Sequence, residues 1–486
     1  MKHLFAMLLM AACVTGTRAA DKPNLVFILA DDLGYGDLGC FGQQKIKTPR
    51  IDRMAKEGMK FTQFYAGATV CAPSRCVLMT GLHTGHARVR GNAGRQAPTI
   101  QMLRPSDVTV AEMLKEQGYS TGLFGKWGLG DEGEAEAGLP NNQGFDRFFG
   151  YANQRHAHNY YPTYLLKDGK HFPLKNVVPG EGLYGQGWAT KRVEYSHDLI
   201  MAEGMKWIRE AAGTGKPFFA YLPVTIPHAN NEGTRGTGNG QEIPDLGIYK
   251  NKDWTEPNKG QAAMITHLDR DVGRVLDLLQ ELGVAENTLV IFSSDNGNHK
   301  EGGNDPEFFD ANGPVRGMKR DLYDGGIRVP TIAWWPGRIK PGQVSEHVAY
   351  FGDLMALAED LSGGSAPGNL DSISFLPTLL GKGKQKRHKF LYWEFFERGF
   401  SQAVLMEGRW KAVRVRKLSA PWELYDLKHD LGEEHNVADQ HPEILKRILA
   451  YVKTARTNDP NWPVVDASAP KKSGKKSPKS KSQASK

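Results

Sequence analysis

Cysteine is scarce in this chain, with four in 486 residues, at positions 13, 40, 71 and 76. So few thiols exclude a disulfide scaffold, and none falls in a metal-type pair spacing. Long apolar runs are missing as well. After the first twenty residues no stretch reaches the ~18 apolar residues of a membrane span. Internal repeats are absent. The body also lacks a basic excess, although the formal net charge is +8. Seven lysines lie in the last sixteen residues, and Lys2 and Arg18 lie in the leader, which leaves the remainder one unit negative. A nucleic-acid-binding body is therefore not implied.

The first twenty residues read as a signal peptide. Lys2 and His3 precede the run LFAMLLMAA, and Thr17-Arg18-Ala19 places small residues where a signal peptidase cuts. Export to the periplasm or the exterior follows. The segment Met10-Ala11-Ala12-Cys13 is a weak lipobox, so a lipid anchor on Cys13 is the alternative to cleavage near Ala19. The terminal KKSGKKSPKSKSQASK, within a tail over 467–486, is low in complexity and cannot bury a core. It reads as a solvated extension, or as a basic tail that binds polyanions.

Between these ends, apolar β-type runs alternate with helical patterns. Asn24–Ala30, Tyr119–Phe124, Pro217–Val224 and Thr288–Ser293 read as strands buried on both faces. Ile51–Glu57, Thr109–Gln117, Asp198–Ala212 and Gln261–Leu282 carry helical periodicity. The expected fold is α/β, a mostly parallel central sheet with helices on both faces, over 21–385. After Gln385 four short strand patterns and a helix over Pro442–Thr454 predict a small antiparallel sheet with one helix, over 386–466.

Each strand run ends in a polar cluster, where ligands of parallel sheets bind. Asp31-Asp32 and Asp295-Asn296 supply only oxygen ligands. Either they are turn signals, or they hold a hard cation, calcium or magnesium, rather than zinc. Cys71 opens a helical stretch, with Pro73 in its first turn and Gly81 at its end. A helix start favours an anion, and Arg75 follows one turn later. The plainer reading is a buried structural cysteine beside Cys76.

Cys71-Ala72-Pro73-Ser74-Arg75 with Thr80-Gly81 resembles the type I sulfatase signature C-x-P-S-R-x-x-x-x-T-G. Gly118-Tyr119-Ser120-Thr121-Gly122-Leu123-Phe124-Gly125-Lys126-Trp127 approximates the second signature of that family. Pro227-His228, Ser294-Asp295-Asn296-Gly297, Gly317-Met318-Lys319, Gly325-Gly326-Ile327-Arg328-Val329-Pro330 and Glu423-Leu424-Tyr425-Asp426-Leu427 with Asn436 are similar too. The resemblance is to the arylsulfatase A-like group of the alkaline phosphatase superfamily. It implies hydrolysis of sulfate monoesters, on sulfated carbohydrates or aryl sulfates. Cys71 becomes formylglycine through a formylglycine-generating or anaerobic sulfatase-maturing enzyme. Asp31, Asp32, Asp295 and Asn296, with an oxygen of residue 71, hold calcium. Arg75 and Lys126 orient residue 71, while His228 and Lys319 contact the sulfate and the leaving oxygen. One hydroxyl of the hydrated aldehyde attacks sulfur, and the other lets the carbonyl re-form and expel sulfate.

One position departs from the family pattern G-K-W-H: Gly128 stands where the histidine belongs. His156 and His158 in the loop after Tyr151, and His299 beyond Asn296, are candidate substitutes. Tyr160, Tyr161 and Tyr164 are expected either to stack on sugar rings or to sit in the core. Two rival functions fit the same chain: a phosphatase or phosphonate monoester hydrolase, and a catalytically dead glycan binder.

Overall fold

The computed structural model describes residues 22–92 and 100–464. The signal peptide, Cys13 and the tail over 467–486 lie outside the described residues.

Among the described residues sixteen strands form three sheets. They are β1 (Asn24–Ala30), β2 (Met59–Phe61), β3 (Phe64–Tyr65), β4 (Ser120–Lys126), β5 (Arg147–Tyr151), β6 (Tyr164–Lys167), β7 (Lys170–Pro173), β8 (Phe218–Pro223), β9 (Thr288–Ser294), β10 (Thr331–Trp334), β11 (Gln343–Ser345), β12 (Ala349–Tyr350), β13 (Phe390–Phe395), β14 (Ser401–Met406), β15 (Trp410–Arg414) and β16 (Glu423–Asp426). The large sheet runs β11-β2-β10-β9-β1-β8-β4-β5-β6-β7. Its centre, β9-β1-β8-β4-β5, is parallel throughout. Antiparallel strands flank it on both sides, β10 at one end and β6 and β7 at the other.

The central strands are fully buried because their residues alternate between two apolar layers. Leu25, Phe27 and Leu29 point into one core, and Val26, Ile28 and Ala30 into the other. Helices α1 (Pro49–Glu57), α4 (Ser196–Gly213) and α6 (Glu256–Glu281) cover the second face through Ile51, Ile200, Trp207 and Leu268, with the short α5 (Asn231–Thr237) between the last two along the chain. Helices α2 (Cys71–Thr80) and α3 (Val110–Glu116) cover the first through Val77, Leu78 and Leu114. Thr109 and Glu112 form a capping box at the start of α3, which explains its sharp boundary. Both sides of the sheet are thus layered with helices, as the alternation predicts.

The second sheet, β13-β14-β15-β16, is antiparallel. Its period-2 alternation divides its side chains. Leu391, Trp393, Ala403, Leu405 and Val413 join the core above the large sheet. Tyr392, Val404, Met406, Ala412 and Leu424 pack on Ile448 of the helix over Pro442–Val452. Buried Lys411 of β15 bonds Asp324 at 2.6 Å and pairs with Glu433 at 3.0 Å. Glu433 also accepts from the Asp324 backbone N–H at 2.6 Å. This ion cluster braces the loop that carries Lys319 against the small sheet.

Candidate active site

Parallel register brings the acidic pairs together. Ala30 of β1 lies level with Ser294 of β9, so Asp31-Asp32 and Asp295-Asn296 leave the sheet side by side. Asp32 takes a left-handed φ of 64°, which turns its side chain back toward Asn296, whose Nδ2 donates to Asp32 Oδ1 at 2.6 Å. The Asp32 backbone N–H donates to Asp295 Oδ1 at 3.1 Å. Lys126 closes β4, beside β8 in the same edge, and donates to Asp31 Oδ2 at 2.6 Å.

Helix α2 begins here. Gly81 ends it in the left-handed conformation, its N–H on Val77 O, and all ten of its residues are buried. Cys71 is its first residue, and its N-terminus points at the acids. Arg75, one turn on, is fully buried. Its Nη2 donates to Asp295 Oδ2 at 2.8 Å, its Nε to the same oxygen at 3.1 Å, and its Nη1 to Lys126 O at 2.7 Å. Ser74, also in the signature, donates from Oγ to Asp295 O at 2.5 Å. Ligand atoms of Asp31, Cys71 and Asp295 all lie within 4.8 Å of one another.

Across the acids, Lys319 Nζ donates to Asp32 Oδ2 at 2.7 Å and to Glu301 Oε2 at 3.0 Å, and it lies 3.2 Å from His228 Nε2. His228 Nδ1 sits 2.7 Å from Ala229 O, which assigns the proton to Nδ1 and leaves Nε2 an acceptor. Its ring lies between two others, His158 at 5.0 Å and His299 at 5.9 Å between centroids.

Burial and charge set the protonation states. Burial alone raises Asp31 and Asp32, but Lys126 beside the first and Lys319 beside the second overcome it and hold both carboxyls down. Asp295, buried and next to the Asp31 charge, is pushed up to about 7. Burial drives the His228 imidazole down to about 3, so it is neutral at ordinary pH. The Lys319 ammonium is held well above its usual range by Asp32 and Glu301 despite burial. The Cys71 thiol is pushed up to about 11 by burial, with Lys126 opposing.

The acids fit a hard cation. Asp31 Oδ1 and Asn296 Oδ1 are buried and have no hydrogen-bond partner. Two orphaned oxygens, on residues that follow neighbouring strand ends, carry a desolvation penalty that a bound cation relieves.

Three comparisons bear on this geometry. Residues 23–380 match the Sulfatase family, well over half of the chain. The chain belongs to the sulfatase family. It is therefore a sulfuric ester hydrolase. Residues 317–457 of this sulfatase also match the family described as N-sulphoglucosamine sulphohydrolase, C-terminal. The sulfatase is 32% identical to human arylsulfatase A over 493 aligned residues, covering 90% of this chain and 89% of the relative. It is 29% identical to N-acetylgalactosamine-6-O-sulfatase of Bacteroides thetaiotaomicron, covering 90% and 94%. The crystal structure of Ps i-CgsB in complex with k-i-k-neocarrahexaose superposes with a TM-score of 0.74 at 25% identity, covering 89% of this chain and 92% of that one.

In this sulfatase a cavity of about 330 Å³ opens onto Gln154, His228 and Lys319. Arg155, Tyr184, Arg320 and Glu397 line its wall. His158 lines it as well, and His299 lies behind His228. Neither hydrogen-bonds Cys71. His156 lies elsewhere, wedged against Tyr151 and Tyr164 with Nε2 unpartnered. Tyr160 and Tyr161 are core residues, 0% and 5% exposed, and Tyr160 donates its hydroxyl to Thr225 O at 2.9 Å. Tyr184 supplies the aromatic wall instead. Gln154 and Glu301, which touch Cys71 and Lys319, carry no motif of their own in the sequence.

Burial drives His156 down to about 3 from the usual 6.5. Between those values the unfolded chain binds the proton and the folded chain does not, so stability falls as pH drops through that window. His156→Phe removes the effect. The melting temperature of the variant relative to the parent is expected to rise as pH falls below 6.5. A pH-independent difference in calorimetry refutes this assignment.

Proposed function

We propose that the sulfatase is exported and cleaves sulfate monoesters on carbohydrates, with formylglycine made from Cys71 as nucleophile and calcium held by Asp31, Asp32, Asp295 and Asn296. The observation that carries the reading is the meeting of Cys71 with Asp31 and Asp295 at a buried helix start, ringed by Arg75, Lys126 and Lys319. Hydrated formylglycine would supply a hydroxyl that attacks sulfur, and calcium would offset charge on the sulfate oxygens.

The chain's own residues do the rest. Arg75 fixes Asp295 and the Lys126 carbonyl, which sets the cage before substrate arrives. Lys126 neutralises Asp31 beside residue 71. Lys319 carries its proton at ordinary pH, and it or His228, whose Nε2 lies 3.2 Å from Lys319 Nζ at the cavity, would hand one to the leaving oxygen. His228, neutral with Nε2 facing Lys319, orients that ammonium. The reading needs a maturing enzyme of the formylglycine-generating or anaerobic type, acting before or during export. No described helix is long and apolar enough to cross a membrane. The polar cavity wall, and a carbohydrate-sulfatase relative aligned over 90% of this chain, support a sulfated sugar as substrate.

The test is the mass of the tryptic peptide holding residue 71, from active protein made in a host with the maturing enzyme. Formylglycine is expected, lighter than cysteine by about 18 Da. A thiol alone in fully active protein refutes the mechanism. Aryl sulfate turnover is expected to exceed aryl phosphate turnover. The reverse preference, which the alkaline phosphatase-like fold permits, would make the chain a phosphatase.

A further inference from the structure

Gly128 leaves a gap. Its φ is +82°, and a Cβ there would find only Arg75 Cδ and Gln154 Oε1, each 3.9 Å away. The Gln154 amide thus lies over the place where a side chain at 128 would begin. Gln154 Nε2 donates to Cys71 Sγ at 2.7 Å. That separation is typical of N–H···O bonds, so it suits an oxygen on the β-carbon of residue 71.

The orientation of this amide is fixed by its neighbours. Gln101 Nε2 donates to Gly128 O at 2.9 Å and to Gln154 Oε1 at 2.9 Å. The Gly128 carbonyl has no hydrogen to give, so Gln101 must present its NH₂ group there. The second hydrogen of that group requires an acceptor, which makes the near atom of Gln154 its oxygen. The far atom, on residue 71, is then the NH₂. A backbone carbonyl at 128 therefore decides which end of Gln154 meets the nucleophile.

We propose that Gln154 is a catalytic hydrogen-bond donor to residue 71, aimed by the chain Gly128 O, Gln101, Gln154. The proposal rests on the formylglycine reading above. An amide donor stabilises negative charge on the oxygen it touches and lowers that hydroxyl's pKa. It does not titrate and accepts no proton at ordinary pH. Where the G-K-W-H pattern supplies an imidazole, this chain supplies a fixed, uncharged donor from a different loop.

The test compares Gln154→Ala, Gln154→Glu, Gln101→Ala and the double alanine variant on an aryl sulfate. Every rate is divided by the fraction of residue 71 converted, read by mass. Gln154→Ala is expected to lower kcat roughly 10²-fold with KM little changed. Gln154→Glu, which puts a carboxylate where the N–H points, is expected to lose more than the alanine variant. Gln101→Ala is expected to lose less, and the double variant no more than Gln154→Ala alone, since both act through one bond. A kcat within about two-fold of the parent for Gln154→Ala, against the loss a lost donor brings, overturns the proposal. So does a Gln154→Glu variant as active as Gln154→Ala, because the amide hydrogen would then be irrelevant. A thiol at residue 71 in the active parent would instead remove the formylglycine reading, a separate outcome visible in the same mass spectra.

Discussion

Replacing Cys71 by serine is expected to lower steady-state turnover of a sulfate ester at least about 10⁴-fold. The fold is expected to persist, because the substitution keeps size and the site already offers Gln154 Nε2 to whatever stands at the γ position. The reason for the loss is stoichiometric. A serine hydroxyl has one oxygen. It can displace the sugar or aryl oxygen and take the sulfo group, but no second hydroxyl on the same carbon remains to expel sulfate. The variant is therefore expected to stop after one event, with a single sulfo group retained per chain in the intact mass. The parent protein turns over because its residue 71 regenerates. Near-normal steady-state activity in Cys71→Ser shows that residue 71 is not the nucleophile.

Much of the fold and the site is legible in the sequence. Strands β1, β4, β8 and β9 sit within two residues of the expected runs, because a strand buried on both faces reads as a near-continuous apolar run. Helix α6 begins five residues before its expected start, because Thr255 caps it and Pro257 fits its first turn while the apolar period begins later. The flanking strands β2, β6, β7, β10 and β11 were not legible. They run for three or four residues each and mix polar with apolar side chains, so no period stands out. In the site, motif residues were readable because their chemistry is tied to fixed spacing. Gln154 and Gln101 were not. An amide that substitutes in space for a side chain at 128 leaves no mark in sequence, since 26 positions separate it from the glycine whose gap it fills. For Tyr160 and Tyr161 the sequence leaves a wall for sugars and a place in the core both open; the core is where they lie, packed on Tyr195, and Tyr184 is the tyrosine that lines the cavity.

Removing the divalent cation with a chelator is expected to lower kcat/KM roughly 10³-fold, reversibly. The argument starts from charge. Asp31, Asp32 and Asp295 are all 0% exposed, and each already has a protein cation beside it: Lys126, Lys319 and Arg75. Those pairs use Asp31 Oδ2, Asp32 Oδ2 and Asp295 Oδ2. They leave Asp31 Oδ1 and Asn296 Oδ1 with no donor. A buried oxygen without a partner costs about 1–3 kcal/mol, and sequences shed such costs unless something occupies the place. Calcium is expected to restore activity better than magnesium, because oxygens drawn from two strand ends and a helix start meet irregular coordination more readily than a strict octahedron. The ion should also raise the melting temperature, since at a hundred times its dissociation constant a ligand adds about 2.7 kcal/mol. Asn296→Ala keeps every charge but deletes one orphaned oxygen and the Nδ2 bond to Asp32 Oδ1. In that variant the calcium titration of both activity and melting temperature is expected to shift to higher concentration, with activity recovering at saturation. Full activity in chelator, at a metal content below one ion per chain, refutes the cage; an unshifted titration in Asn296→Ala removes Asn296 from it.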